Sequence, residues 1–233
     1  MTDGGGGWAR AVARDWPALE VAERSGWRLG YSHGVTKRAN SAVALAPDAD
    51  PDEPGRFYRE RGLSAVVQVW PGDEGLDGRL AERGYRVVEP SLVLARDLPG
   101  RPGSGTGAVV VGKGPEYGPG GDGTRETDVT ARIMARAGMA HAVREDGSAR
   151  GCAALTGDLM GVYGMATRPD ARRRGYASQI LAALLGWGHA NGARRAYLLV
   201  VAANAGARAL YEGAGFAEAG RYHYRVLDTA GPR

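Results

Sequence analysis

The residues best equipped for chemistry lie between positions 165 and 216 of this 233-residue chain. Arg172-Arg173-Arg174-Gly175-Tyr176-Ala177-Ser178 sets three cations beside a glycine and two small residues, just ahead of an apolar stretch at helical spacing. A loop of small residues opening a helix leaves backbone N–H groups without intrahelical partners, and the helix dipole adds roughly half a positive charge there. That combination suits phosphate. Gly175 lets the backbone approach closely, Ala177 adds almost no bulk, and the arginines supply charge. Each feature also has a plainer reading, as an ordinary helix start and a solvated arginine face. Further on, Asn204-x-x-Ala207-x-x-Leu210-Tyr211-x-x-x-Gly215-Phe216 repeats small and polar positions at short intervals. A tyrosine such as Tyr211 can donate a proton if a leaving group comes within hydrogen-bond reach, and its plainer reading is helix packing.

Six elements must position these residues. Ala140–Arg144 and Ala149–Leu155 flank Asp146-Gly147, a pairing that predicts a hairpin. A turn at Gly157-Asp158 leads to a third strand, Leu159–Thr167, ended by Arg168-Pro169 because proline cannot donate to a ladder. After the Gly175 loop, Ala177, Ile180, Leu181, Leu184, Leu185 and Gly188 share one helical face. Ala196–Ala202 is a continuous apolar strand, and Asn204 opens a short helix stopped by Gly215.

The order Arg172-x-x-Gly175-x-Ala177, helix, strand, Asn204, Tyr211, Gly215-Phe216 resembles the GCN5-related N-acetyltransferase superfamily. The match lies in that family's cofactor loop, Gln/Arg-x-x-Gly-x-Gly/Ala, and in its later Asn, Tyr and Gly-Phe. The resemblance implies an α/β fold with a twisted mixed sheet and acetyl-CoA as acyl donor. It implies that the strand Leu159–Thr167 splays from Ala196–Ala202, with pantetheine pairing to the backbone of Met165, Ala166 and Thr167. Amides of Arg173, Arg174, Gly175, Tyr176, Ala177 and Ser178 would cradle the pyrophosphate beside Arg172. Asn204 and Ala207 would sit near the pantetheine arm, and Tyr211 would give a proton to the departing thiolate. The acceptor is an unidentified amine attacking directly, with neither metal nor covalent enzyme intermediate. Many members place a carboxylate on the splayed strand to deprotonate the amine, yet Gly161-Val-Tyr163-Gly-Met165 has none. Tyr163, His141, His223, a group from the first block, or an acceptor of low pKa would have to serve instead. A different acyl-CoA, a protein amine, or a non-catalytic acyl-CoA sensor would share the same motifs.

The remaining sequence predicts a first block, 1–97, a Gly/Pro-rich linker and leading segment, 98–134, and the transferase half, 135–233. In the first block, a helix is expected over Asp15–Arg24, then strands Trp27–Tyr31 and Asn40–Ala46 as a hairpin. Phe57–Arg61 predicts a short helix, Ala65–Trp70 a buried strand, Leu76–Arg83 a helix and Tyr85–Ala95 a strand. Arg56-Phe57-Tyr58 followed by Gly62-Leu63 echoes Ala209-Leu210-Tyr211 followed by Gly215-Phe216, and the block lacks a cofactor loop. It resembles the degenerate N-terminal half of tandem members. Arg38-Ala-Asn40-Ser41 is its one polar cluster of interest, with a strand edge and turn as the plainer reading.

Of 30 basic residues all but Lys37 and Lys113 are arginine, they are spread along the chain, and the net charge is +4. A phosphate-tracking nucleic-acid surface is expected to concentrate its charge, so no nucleic-acid partner is predicted. No membrane-length apolar run occurs and the opening residues lack an apolar signal core, which predicts a cytoplasmic protein without a membrane partner. The lone Cys152, in an apolar run, reads as a small core side chain. A homodimer is compatible with all of this.

Overall fold

The computed structural model describes residues 4–98, 109–112 and 124–228. The chain forms two compact units: Met1–Leu92 with Val201–Ala203 and Gly220–Arg233, and Val93–Val200 with Asn204–Ala219.

The first unit opens with helix α1 (Gly4–Asp15) and strand β1 (Glu20–Arg24). The helix expected over Asp15–Arg24 is therefore replaced by an earlier helix and a strand. Trp8, Ala11 and Val12 share the buried face of α1 at helical spacing, a pattern obscured by the preceding glycines. Ser25 and Gly26, with φ of 50° and 79°, form the two-residue turn that pairs Arg24 with Trp27 in β2 (Trp27–Tyr31). Exposed charges on β1 suit a sheet edge. The expected hairpin is present between β2 and β3 (Ala42–Ala44), with Leu29 opposite Ala42. Then follow α2 (Glu53–Arg59), β4 (Ala65–Val69), α3 (Glu74–Glu82) and β5 (Arg86–Asp97), whose last residues belong to the second unit. Helix α2 begins four residues ahead of the predicted Phe57, with Pro54 in its first turn, where a missing N–H costs nothing. Trp27, Leu29, Phe57, Tyr58, Leu76 and Leu80 form the core. The Tyr58 hydroxyl is satisfied by donating to the Gly30 carbonyl at 2.7 Å.

The second unit contains β6 (Val109–Gly112), α4 (Arg125–Arg136), β7 (Ala140–Arg144), β8 (Ala149–Thr156), β9 (Leu159–Thr167), α5 (Tyr176–Ala190), β10 (Arg195–Val201, its last residue counted with the first unit) and α6 (Ala205–Gly213). Strand β11 (Ala217–Leu227) starts in this unit and ends in the first, where its later residues pair with β4. The sheet order runs β10-β9-β8-β7-β6, with β9 and β10 parallel and the others antiparallel. Most of the expected linker lies outside the described residues. Towards the end of its 98–134 span, however, α4 begins, capped by Thr124, burying Val129, Ile133 and Met134 and running on to Arg136.

Candidate active site

The residues expected to meet the cofactor, Tyr211 among them, all belong to the second unit, and two junctions position most of them. The first is the end of β9. Its parallel register with β10 runs from Arg195 opposite Leu159 to Leu198 opposite Val162 and stops there, although β9 continues to Thr167. On the other edge β8 keeps hold: Arg150 pairs with Ala166 and Ala149 with Thr167. Between Cys152 opposite Tyr163 and Arg150 opposite Ala166, β9 carries one residue more than β8. This bulge at Gly164 and Met165 bends the strand. Gly164 sits at φ 60°, and a Cβ there would come within 3.2 Å of the Cys152 sulfur. Ala166 is exposed, Met165 and Thr167 half-buried.

The second junction is the start of α5. A 3-10 turn, Pro169–Ala171, leads into extended Arg172, then Arg173 at φ 65° and Gly175 at φ 77°. Gly175 is the N-cap and has no side chain to cap the first-turn N–H groups. A Cβ built on it meets nothing within 4 Å, so the space facing the loop is open. Arg172, Arg173, Arg174 and Ser178 are exposed, Tyr176 and Ala177 half-buried. The three guanidiniums and the free helix end give this open space a positive character suited to an anionic group.

A residue missed in the sequence fastens this junction. Arg144, at the end of β7, stacks 3.8 Å over the Tyr176 ring and donates to Gln179 Oε1 at 2.6 Å. Asp146 accepts from it and from Ser148, and these bonds, the Arg144 guanidinium first, hold the Asp146 carboxyl well below the usual range. The only sequence signal was the Asp-Gly turn itself.

Between α5 and α6 runs a cleft of about 500 Å³, lined by Ser178, Leu181 and Leu185, by Ala209 and Leu210, and by Arg96 from β5. Of the residues expected to meet a cofactor, Ser178 alone lines it. Arg96 donates to the Ala214 carbonyl and faces the Phe216 ring. Asn204 caps α6, its Oδ1 accepting from the Ala207 N–H at 3.1 Å. Tyr211 lies on the buried side of α6, 7% exposed, edge-on to Phe216. Burial pushes its hydroxyl up, so the proton stays on.

The candidate bases are dispersed. Tyr163, the first β9 residue beyond the β10 register, shares a 2.5 Å hydrogen bond with the Tyr197 hydroxyl. His141 is buried in β7, and desolvation pulls its pKa down, favouring the neutral ring. His223 belongs to the first unit and pairs with Asp77. The cluster at Arg38–Ser41 is architectural: Asn40 accepts from the N–H groups of Ser32 and Gly34 and donates to the carbonyls of Val35 and Thr36. Cys152 is buried, donating to the Tyr163 carbonyl at 3.4 Å. No helix among the described residues is long and apolar enough to cross a membrane.

Comparison with known proteins places this geometry in a family. The model described as "Probable histone acetyltransferase Rv0428c C-terminal" matches residues 8–225. The "Uncharacterized N-acetyltransferase YobR" of Bacillus subtilis (strain 168) is 25% identical over 241 residues, covering 93% of this chain and 96% of its own. A GCN5-related N-acetyltransferase from Sphaerobacter thermophilus aligns with a TM-score of 0.61 at 17% identity, over 96% of this chain and 86% of its own. A tandem GNAT protein from the clavulanic acid biosynthesis pathway, determined without AcCoA, aligns at 0.56 and 14%, over 97% and 89%.

Proposed function

We propose that this chain, an acyltransferase that belongs to the Rv0428c C-terminal family within the GCN5-related N-acetyltransferases, moves an acetyl group from acetyl-CoA to a primary amine by direct attack in a ternary complex. The observation that carries the reading is the early end of the β9–β10 register, which leaves one edge of Met165, Ala166 and Thr167 turned away from β8. An extended arm with amide groups can pair along such an edge. The residues present fit the rest of that ligand. Arg172 to Arg174 and the first-turn amides of α5 would hold the pyrophosphate in the open space at Gly175, and the α5–α6 cleft offers apolar walls alongside. Acetyl-CoA supplies an acyl group already activated as a thioester.

The protein's own residues then orient and move protons. The amine enters neutral, its nitrogen bonds to the acyl carbon as the carbon–sulfur bond breaks, and its surplus proton leaves to solvent or a nearby base. The Tyr211 hydroxyl, kept protonated by burial, gives its proton to the departing sulfur. Asn204 fixes the start of α6 and so the height at which Tyr211 is presented. The first unit, without a cofactor loop, is read as a degenerate transferase-like half that shapes acceptor recognition.

The family description names a histone acetyltransferase, so a lysine side chain of a protein is the second reading of the acceptor. Release of the CoA thiol from acetyl-CoA, followed with a panel of small primary amines beside lysine-containing histone peptides, tests both. Thiol release that depends on an amine, with the acetylated amine recovered by mass spectrometry, is the expected result. Binding of acetyl-CoA without transfer to any amine would replace this reading with the sensor.

A further inference from the structure

The loop that opens α5 is fastened at both ends by one hairpin, that of β7 and β8 with its turn at 145–148. At the near end, just past β9, the Ser148 carbonyl accepts from the Arg168 N–H at 2.9 Å. At the far end, Arg144 lies over the Tyr176 ring and donates to Gln179 Oε1 in the first turn of α5. Asp146 joins the two ties. Its Oδ1 accepts from the Ser148 N–H at 3.0 Å, from Ser148 Oγ at 2.6 Å and from Arg144 Nε at 3.2 Å, and its Oδ2 accepts from Arg144 Nη2 at 3.1 Å. Arg144 Nε also donates to Ser148 Oγ at 3.0 Å. The Arg144 side chain is only 14% exposed, so this network is packed rather than solvated.

Between the ties the loop has little of its own to keep its shape. The Ala171 N–H reaches the Arg168 carbonyl at 3.0 Å, but among the described residues no N–H from 173 to 178 donates to a backbone carbonyl. Arg173 stands at φ 65°, a left-handed conformation that an L side chain disfavours. Such a residue persists where its surroundings hold it. The free N–H groups are those an anionic ligand would use. Ordering them on binding costs conformational entropy, and a loop already ordered spares the ligand that cost.

We infer that Arg144 and Asp146 are positioning residues for the acyl donor: through the hairpin turn they hold both ends of loop 168–176 in its anion-binding shape before a ligand arrives. The identity of the ligand rests on the acyl-donor reading, whereas the clamp on the loop does not. Neither residue needs to touch the ligand, and the Arg144 charge is already met by Asp146.

The exposed Arg172, Arg173 and Arg174 make the clamp readable by limited trypsin digestion of the full chain, with cut sites assigned by mass spectrometry. The bond after Arg132, an exposed position on α4, is the internal reference. Arg144→Met keeps an unbranched side chain and removes the guanidinium. It is expected to speed cleavage at the loop arginines by at least about fivefold relative to the reference. In calorimetric titration it is expected to weaken acetyl-CoA by about five- to tenfold. Arg144→Lys is expected to behave like Arg144→Met, because an ammonium neither stacks flat on Tyr176 nor forks between Asp146 and Gln179. Ser148→Ala leaves the backbone tie to Arg168 in place and is expected to shift both readouts by about threefold in the same direction. It carries the test if Arg144→Met does not fold. A lysine variant with native affinity would make Arg144 a charge for the ligand and overturn the positioning role. Unchanged loop cleavage in the variants, or loop and reference cuts that speed up together as in a general loss of stability, would overturn it as well. No acetyl-CoA binding by the native chain, with loop cleavage still released in Arg144→Met, would overturn the acyl-donor assignment and support the clamp alone.

Discussion

At the residue scale, Tyr211 decides whether the site is catalytic or only binds. A phenol serves as a general acid only if it still carries its proton at neutral pH, and burial on the inner side of α6, beside Phe216, pushes the Tyr211 hydroxyl further up. Tyr211→Phe keeps the ring packing and removes the proton. It is expected to lower kcat by about 10²-fold while the KM for acetyl-CoA changes little, as steady-state kinetics would show. A parallel rise in KM with kcat unchanged would instead mark the hydroxyl as a binding group. The sequence singles out Arg172, Gly175 and Ala177, and then Asn204 and Tyr211, because each set falls within one short segment, a loop and a helix, where local spacing can be read. Arg144 is not among them. Its partners Tyr176 and Gln179 lie on another element, and no local spacing announces a contact made through tertiary packing.

At the scale of elements, the position of α5 determines what its N-terminus can bind, and small residues set that position. A Cβ on Gly188 would lie 2.3 Å from the sulfur of Met160, a fully buried β9 side chain, whereas a Cβ on Gly186 meets nothing within 4 Å. The two glycines should therefore respond oppositely to the same substitution. Gly188→Ala is expected to destabilise by about 1–3 kcal/mol through overpacking. Gly186→Ala is expected to stabilise by roughly 0.5–1 kcal/mol through helix propensity. Urea denaturation monitored by circular dichroism distinguishes them, and matching signs would contradict this packing. The hairpin, β9, α5 and β10 were all readable from alternation, turn residues and helical periodicity. The failures were α1, β1 and α4. In each, the signal was masked by composition: glycines ahead of Trp8, charges at positions 20, 23 and 24 of Glu20–Arg24 whose spacing reads as helix, and Gly/Pro-rich flanks ahead of the capped helix at Thr124.

At the scale of the whole molecule, chain ends far apart in sequence complete the first unit. Gly220–Asp228 returns to it, and β11 pairs with β4 from Ala65 opposite Leu227 to Val69 opposite His223. No sequence pattern foretold this return, because a strand records which face is buried and not which partner it finds. Asp77 on α3 fastens the returning strand through Arg225 and His223. Arg225 first, and His223 after it, hold the Asp77 carboxyl below its ordinary value. A carboxyl depressed in the folded state contributes stability above its unfolded pKa, near 3.9, and that contribution is lost as pH falls through the lower folded value. Thermal melts are expected to show the native chain losing stability below about pH 4. Asp77→Asn should melt lower at pH 7 and lack that part of the acid decline. Parallel curves for the two proteins would remove Asp77 from the account. The central claim, that the loop before α5 holds the acyl donor, is tested most directly by calorimetric titration with acetyl-CoA of the native chain, Gly175→Ala and Gly175→Glu. Saturable binding to the native protein, modestly weakened by Ala at this left-handed position and abolished by Glu, is the predicted result. Equal affinity in all three proteins, or no binding to the native chain, would contradict it.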